Sequence, residues 1–320
     1  MTKINKQLNL FLFISNLSEW HFSCRKSFNE IWKTKPTPLS DVEKTTLLNF
    51  VKILKKYNKK NKEHLIAEFV KSNSINWQKI SNRISSRDVA TIKNAFQIFQ
   101  PRFEYFYSAQ KRNMVEIAKF LENNLEKNKN AVDKARVIYQ NSENFSFDVL
   151  ICLSENSNKS AGGMYFSSGK KGYIVIQFGD FNLADDNYPL LNTFYHEISH
   201  HFQNTENYIK LVNKCKDQIV ISKKYVDDGV DKNDIINEIV NAALWGEFGV
   251  LSQKVFSISD SELEKKFEAL PKKDRDYYDQ IKYCAYKFRG IIQKKISDNL
   301  ALNNEDILSV VNIWNSSIFI

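Results

Sequence analysis

The stretch FYHEISHHFQ (residues 194–203) holds three of the chain's five histidines, His196, His200 and His201. On a helix, His196 and His200 are four residues apart and lie one turn apart on the same face. Two imidazoles at that spacing can bind one zinc ion. Glu197 borders the same face, where a carboxylate can accept a proton from a metal-activated water. The HExxH pattern therefore predicts a zinc-dependent hydrolytic site.

The residues around this stretch predict the helix that the pattern needs. Pro189 suits a first helical turn, with Asn187 or Asp186 as the N-cap. Apolar residues then recur at helical spacing, and the helix is expected to run to about Glu206. The two histidines would thus be held on one rigid element.

Strand patterns lie before this helix. Residues 145–154 (FSFDVLICLS) are apolar and partly β-branched, which predicts a buried strand. Residues 161–180 hold five of the nine glycines and predict a β-hairpin, with YFS and YIVIQF as arms and SGKK as the turn. The sequence therefore places a small sheet immediately before the HExxH helix.

The rest of the chain has helical periodicity. Residues 41–60 predict a helix with Asp41 as N-cap, and residues 103–140 predict one long helix or two. Another helix is expected within residues 227–248, with Asp234 or Asn233 as its cap. The predicted class is α+β, mainly helical with a small mixed sheet. The predicted domains are a helical, basic region over 1–140 and a catalytic domain with C-terminal helices over 141–320.

With a small sheet followed by an HExxH helix, residues 145–250 resemble the zincin metallopeptidases, and the resemblance is at the level of the motif. It implies a zincin-type sheet with an exposed edge strand, GGMYFS or GYIVIQF here, to which the substrate backbone adds as a further strand. It also implies Zn²⁺ as cofactor, with His196 and His200 as ligands and Glu197 as general base.

The third zinc ligand would decide the subclass. The metzincin pattern HExxHxxGxxH needs glycine and histidine where this chain has Gln203 and Glu206, and without the glycine the helix is not released to turn. The gluzincin-like pattern uses a glutamate on a later helix. Glu238 fits best, because it lies 38 residues past His200 among apolar neighbours, where a carboxylate must be paired or bound to metal. Asn241 stands where some gluzincins carry a second acid. Three other carboxylates stay open as alternatives: Glu247, Asp227 and Asp228.

A zincin also needs a hydrogen-bond donor for the oxyanion, often from a downstream segment. The candidates with catalytic roles are Tyr283 and Tyr286 on the helix that IKYCAYKFRG predicts. Arg289 and Tyr225 are further candidates. His201 points about 100° away from His200 on a helix, so it is expected to be a surface residue or one that supports the ligands.

The net charge of +9 is concentrated at the start of the chain. Residues 1–60 hold twelve Lys or Arg and four Asp or Glu, which leaves +8 there. A basic surface of this kind predicts an acidic partner surface. No nucleic-acid signature accompanies it, and no apolar stretch is long enough for a membrane span. The four scattered cysteines suit a reducing compartment and predict a cytoplasmic location, with a secreted effector or toxin as the alternative.

The function predicted from these patterns is a zinc metallopeptidase, with an endopeptidase as the expected form. A catalytically silent zincin-like binding or regulatory module is the first alternative. A basic nucleic-acid-binding protein with an accidental HExxH is the second. The third is a peptide deformylase with Cys152 as a ligand, although a buried thiol explains Cys152 better, because it stands in an apolar strand.

Overall fold

The computed structural model of the chain is mostly helical (72%), with one small mixed sheet of four strands. This confirms the predicted α+β class, while the arrangement that distinguishes zincins stays a prediction. The structure describes residues 2–20, 29–57, 65–71, 77–141, 146–153, 161–168, 170–179, 187–222, 225, 230–272 and 275–318.

The backbone contacts group the chain into two compact units. The first comprises Met1–Asn123 and Phe145–Thr193, and the second comprises Asn124–Asn144 and Phe194–Ile320. This grouping differs from the predicted boundary after residue 140. The reason is that the strands belong to the same unit as the N-terminal helices, although they follow those helices in the sequence.

The first unit contains all four described strands. It also contains six helices that precede β2 in the sequence. The strands are β1 (Thr2–Lys3), β2 (Ser146–Leu153), β3 (Ala161–Ser168) and β4 (Lys171–Phe178). The helices are α1 (Lys6–Leu17), α2 (Glu30–Thr34), α3 (Asp41–Tyr57), α4 (Leu65–Lys71), α5 (Trp77–Ser81) and α6 (Ser86–Lys127), the last of which continues past the unit boundary.

The sheet has the order β1-β2-β4-β3. β2 pairs parallel with β1 and β4, and β3 pairs antiparallel with β4, with Ser168 opposite Lys171 next to the turn. The predicted strand and hairpin are therefore confirmed, although Gly169 of the turn lies outside the described residues. Of the two strands offered as the edge, β3 ends the sheet order, whereas β4 lies between β2 and β3.

Helix α1 is fixed to the sheet by a buried asparagine. Asn9 is fully buried, its Nδ2 donates to the carbonyl of Ile151 at 3.1 Å, and its Oδ1 accepts from the amide of Leu153 at 2.7 Å. The apolar run LNLFLFI is buried on nearly every side of α1 and belongs to the core. Among the described helices, none combines the length and the apolar character that crossing a membrane requires.

Arg102, in the middle of α6, joins several segments of the first unit. Its side chain is 4% exposed, and it donates to both carboxylate oxygens of Glu43, at 2.7 and 3.0 Å. It also donates to the backbone carbonyls of Trp32, Lys35 and Thr37. A buried guanidinium needs such a set of acceptors, so this contact fixes α2 and the start of α3 against α6.

The N-cap of α3 differs from the prediction. Ser40, not Asp41, caps the helix: its hydroxyl accepts from the amide of Glu43 at 3.2 Å, and the Glu43 carboxylate accepts from the amide of Ser40 at 2.8 Å. This is a capping box, which satisfies two backbone donors at once. Asp41 is the first helical residue, where its charge favours the helix dipole.

The second unit is helical throughout its described residues. Its helices are α7 (Lys129–Ile138), α8 (Tyr188–Gln203, which begins in the first unit), α9 (Glu206–Cys215), α10 (Lys232–Trp245), α11 (Val250–Phe256), α12 (Asp260–Glu268), α13 (Tyr277–Asp298) and α14 (Asn304–Ser317). A short 3₁₀ turn, Lys216–Gln218, follows α9. The segment 103–140 thus forms the end of α6 and the separate helix α7.

Two helix boundaries near the HExxH stretch differ from those predicted. α8 ends at Gln203 and does not reach Glu206, because Thr205 caps a new helix by accepting from the amide of Tyr208. α10 is capped by Asp231, whose carboxylate accepts from the amide of Asn233 at 2.9 Å, and not by Asn233 or Asp234. The cap prediction failed because several adjacent residues had cap-forming side chains.

Candidate metal centre

Helix α8 is held in place by the residue next to the first histidine. Tyr195 is fully buried, and its ring stacks on Trp245 with the centroids 4.5 Å apart. Its hydroxyl donates to the carbonyl of Asn124 at 3.0 Å and accepts from Nδ2 of Asn128 at 2.8 Å. Because these contacts lock the rotation of α8, they also fix the direction of the neighbouring His196.

Helix α10 carries the third predicted ligand. Its apolar residues Ile235, Ile236, Ile239 and Val240 are fully buried, whereas Glu238 keeps 28% of its side chain exposed. The apolar residues set the face of α10 that packs into the unit. Glu238 is therefore presented at the border between the core and solvent.

The three predicted ligands converge. The Nε2 atoms of His196 and His200 are 3.0 Å apart, and each lies 3.4 Å from a different oxygen of Glu238. Among the described residues, these three form the cluster of side chains that could hold a metal ion, with their ligand atoms within 4.8 Å of one another. The histidine side chains are 25% and 22% exposed, so the cluster is accessible from outside.

The cluster has the size and donor set of a zinc site. Bonds of about 2.0–2.1 Å to a tetrahedral ion separate ligand atoms by about 3.3 Å, close to the three separations here. Two imidazoles and one carboxylate are also the donor set of catalytic zinc sites, which leave one coordination position open. The residues present therefore fit a zinc ion.

The charges around the cluster act differently on the two histidines. Burial lowers the pKa of His196 to about 4, and the positive charge of His200 contributes to this. Burial also acts to lower the pKa of His200, but the carboxylates of Glu238 and Glu197 outweigh it, so its pKa is raised. Of the two rings, His200 is thus the one whose protonated form its surroundings favour.

This proton competition gives a pH prediction for metal binding. We expect zinc affinity to fall as the pH is lowered through the pKa of His200, because proton and metal compete for its Nε2. Since that pKa lies above the ordinary value of 6.5, the loss should begin at a higher pH than an ordinary histidine would give. Zinc dissociation constants measured between about pH 5 and 8 would test it. A constant affinity over that range would contradict the expectation.

Glu197 follows His196 and is buried, with 6% of its surface exposed. Burial raises the pKa of its carboxyl to about 7; the positive charge of His200 opposes this shift, and the negative charge of Glu238 adds to it. A carboxyl group with that pKa can exchange a proton near neutral pH. Glu197 is therefore chemically suited to the role of general base predicted for it.

Two side-chain amides support the cluster. Gln203, three residues after His200, accepts from Nδ1 of His200 at 2.8 Å and donates to the carbonyl of Asn237 at 2.9 Å. Asn241, on α10, donates to the carbonyl of His196 at 3.0 Å. None of these three contacts could be predicted from the sequence, because each joins two helices or depends on a side-chain rotamer.

His201 is not part of the cluster. It is buried, with 1% of its surface exposed, so of the two expectations the surface position is wrong, and a role in supporting the ligands stays a prediction. Burial lowers its pKa to about 4, which keeps the ring neutral. The other two histidines of the chain, His21 and His64, lie outside the described residues.

The alternative third ligands have other environments. Glu206 is exposed at the start of α9 and pairs with Lys210 at 2.5 Å. Glu247 pairs with Lys282 at 3.3 Å. Asp227 and Asp228 lie outside the described residues. Of the described alternatives, neither joins the histidines, whereas Glu238 does.

Tyr283 and Tyr286 pack in an aromatic group on α13. The ring of Tyr286 stacks on Phe267 at 3.9 Å between centroids, and that of Tyr283 stacks on the same ring at 5.5 Å. Arg275 lies over the Tyr283 ring, 4.0 Å from its centroid. These contacts account for both rings as packing residues, and their catalytic role stays a prediction.

The two further candidates for the oxyanion donor also have defined partners. The hydroxyl of Tyr225 donates to the carbonyl of Arg275 at 3.1 Å. Arg289 donates to Oε1 of Gln253 and lies 3.9 Å from a carboxylate oxygen of Asp260. The hydroxyl of Tyr225 and the guanidinium of Arg289 are thus both engaged in these contacts.

Tyr277, at the start of α13, is a residue that sequence reasoning missed. Burial raises the pKa of its hydroxyl, and the negative charges of Glu238 and Asp234 raise it further. Nothing in the sequence distinguishes Tyr277 from the other tyrosines of the same helix.

Cys152 lies in β2 and is fully buried. Burial raises the pKa of its thiol well above the ordinary range, which disfavours the thiolate that binds metals. Cys215 and Cys284 are likewise free and buried, and Cys24 lies outside the described residues. The buried-thiol interpretation of Cys152 is thus favoured over a deformylase ligand.

The cluster was also considered against known proteins. Comparison of the chain with protein-family models, curated proteins and solved structures found no match. The functional interpretation therefore depends on the side chains of this cluster and on the HExxH pattern.

Proposed function

We propose that the protein is a zinc-dependent peptidase whose metal is held by His196, His200 and Glu238. The observation that carries the proposal is the convergence of these side chains, with 3.0–3.4 Å between the facing atoms, at an HExxH sequence. A site that only stabilises the fold is usually closed by four protein ligands. Among the described residues three candidate ligands converge here, with a buried glutamate beside the first.

In the proposed chemistry, the metal would act as a Lewis acid and the side chains of the protein would transfer protons and hold the metal. A bound zinc ion would supply Lewis acidity, which polarises a carbonyl and lowers the pKa of water. Glu197 accepts a proton from the attacking water at its carboxylate and later donates it to the leaving amine. His196, His200 and Glu238 keep the site rigid, so that little reorganisation is needed when the substrate binds.

The alternative of a silent zincin-like module makes a different prediction for Glu197. A binding module needs the three ligands but has no use for a proton acceptor beside them. Burying a glutamate is costly, as its raised pKa reflects. Its presence here favours the catalytic interpretation. The acidic partner of the basic N-terminal region and the cytoplasmic location stay predictions.

Metal analysis of the purified chain tests the first half of the proposal. We expect one zinc ion per chain, because three converging ligands bind zinc tightly. A His196→Ala/His200→Ala double variant should contain none, and its circular dichroism would show whether it remains folded. A purified wild-type chain that takes up no stoichiometric zinc, even when zinc is supplied, would refute the proposal.

A further inference from the structure

Gln203 occupies the end of α8, where its side-chain amide contacts both helices of the metal cluster. We infer that Gln203 is a positioning residue that orients His200 and ties it to the segment carrying Glu238. This inference rests on the proposed function, since it concerns the same zinc site. Gln203 does not itself contact the metal position or the substrate.

The orientation of the amide follows from its partners. One end of the Gln203 side chain faces the carbonyl of Asn237 at 2.9 Å, and a carbonyl oxygen can only accept a hydrogen bond. The amide nitrogen must therefore be at that end. The other end, Oε1, consequently faces Nδ1 of His200 at 2.8 Å.

This orientation fixes the tautomer of His200. Since Oε1 can only accept, Nδ1 of His200 must carry the hydrogen. In the neutral ring Nε2 then keeps its lone pair, and Nε2 is the atom that faces His196 and Glu238. A histidine ligand needs this arrangement, with one nitrogen donating to a supporting group and the other directed at the metal.

The second bond of Gln203 connects two ligands. Asn237 directly precedes Glu238, so the Gln203 amide links the second histidine to the backbone that carries the third ligand. The side-chain amide of Asn241, on α10, donates a hydrogen bond back to α8, to the carbonyl of His196. Together the two amides brace α8 and α10 on both sides of the cluster.

The burial of Gln203 makes these bonds consequential. The residue is 5% exposed, and its amide nitrogen lies 3.3 Å from the hydroxyl of Tyr139, which is itself fully buried. Water cannot easily replace the amide there. Its removal should leave Nδ1 of His200 and the carbonyl of Asn237 without their partner.

The test compares two substitutions at Gln203 by zinc affinity. Gln203→Met keeps the length of the side chain but offers no strong acceptor, so we expect zinc to bind about 10–100-fold more weakly. Gln203→Glu still offers an oxygen to Nδ1–H but cannot donate to the carbonyl of Asn237, so it should recover only the part of that loss that comes from His200. Competition with a chromophoric chelator gives the dissociation constants, and the visible spectrum of bound Co²⁺ reports the coordination geometry.

Gln280→Met is the matched control. Gln280 is also a buried glutamine that joins two helices, since its amide donates to the hydroxyl of Ser317 on α14. It lies outside the metal cluster, so its replacement should lower thermal stability without changing zinc affinity or the Co²⁺ spectrum. A loss of zinc affinity in Gln280→Met as large as that in Gln203→Met would assign the effect to general destabilisation.

The outcomes separate this inference from the proposed function. If the wild-type chain binds no zinc, the proposed function fails first. If the wild type binds zinc and Gln203→Met binds it equally well, only the role of Gln203 is overturned. If Gln203→Met does not fold, Gln203→Glu decides: zinc binding weaker than in Gln280→Met supports the role, because the bond to Asn237 is lost, and zinc affinity equal to that of the wild type overturns the tie to Asn237.

Discussion

Replacing Glu197 with glutamine should reduce peptide hydrolysis by about 10²–10⁴-fold while zinc stays bound. Glutamine has nearly the same shape as glutamate, but its amide cannot accept a proton from the attacking water. The proposed ligands His196, His200 and Glu238 are unchanged by the substitution. The Glu197→Gln variant should therefore lose the hydrolysis rate and keep its bound zinc.

The measurement is the rate of hydrolysis of a peptide library by equal amounts of zinc-loaded wild type and Glu197→Gln. Glu206→Gln is the matched control, because Glu206 is exposed and pairs with Lys210. It should hydrolyse peptides at the wild-type rate. Equal rates for Glu197→Gln and the wild type would remove Glu197 from the mechanism.

Replacing Glu238 with alanine should weaken zinc binding by more than about 100-fold, beyond what the loss of a supporting residue costs. The reason is that a different oxygen of Glu238 lies 3.4 Å from the Nε2 atom of each histidine in the pair. Its removal leaves two ligands on one helix. Hydrolysis should fall in parallel with the bound zinc.

Two other glutamates serve as controls for this experiment. Glu206→Ala and Glu247→Ala should leave zinc affinity unchanged, because each of these carboxylates pairs with a lysine, Lys210 and Lys282. Dissociation constants from chelator competition would rank the three variants. A larger loss in Glu206→Ala or Glu247→Ala than in Glu238→Ala would overturn the assignment of the third ligand.

The histidine pair was predictable because its geometry is local. A spacing of four residues on a helix places His196 and His200 on one face whatever the rest of the chain does. Glu238 was predictable for a different reason: a carboxylate among buried isoleucines needs a partner. The sequence could not show that the partner was this pair, because the contact joins α8 to α10 across 38 residues.

Contacts that depend on tertiary placement were not predictable. In the sequence, Gln203 was notable only because it occupies the position where a metzincin has glycine. In the structure, its side chain accepts a hydrogen bond from His200 and donates one to the backbone of α10. Tyr277 was indistinguishable from Tyr283 and Tyr286, although its pKa responds to the charge of Glu238. How deeply a tyrosine on a helix is buried depends on how that helix packs.

The pairing of distant segments in the first unit could not be predicted from the sequence. The pattern of apolar residues and glycines indicated where helices are followed by strands, and β2, β3 and β4 form where expected. It could not indicate that β1 and α1, at the start of the chain, belong with that sheet. The parallel pairing of β1 with β2 joins residues about 147 positions apart, and no local pattern encodes such a pair.

The most direct test of the central claim is the rate of peptide hydrolysis as zinc is added back to metal-free protein. The cluster of His196, His200 and Glu238 predicts a rate that is negligible without zinc, rises in proportion to added zinc and levels off at one equivalent per chain. Hydrolysis that is unaffected by zinc, or zinc uptake with no hydrolysis at any ratio, would contradict the assignment of a zinc-dependent peptidase.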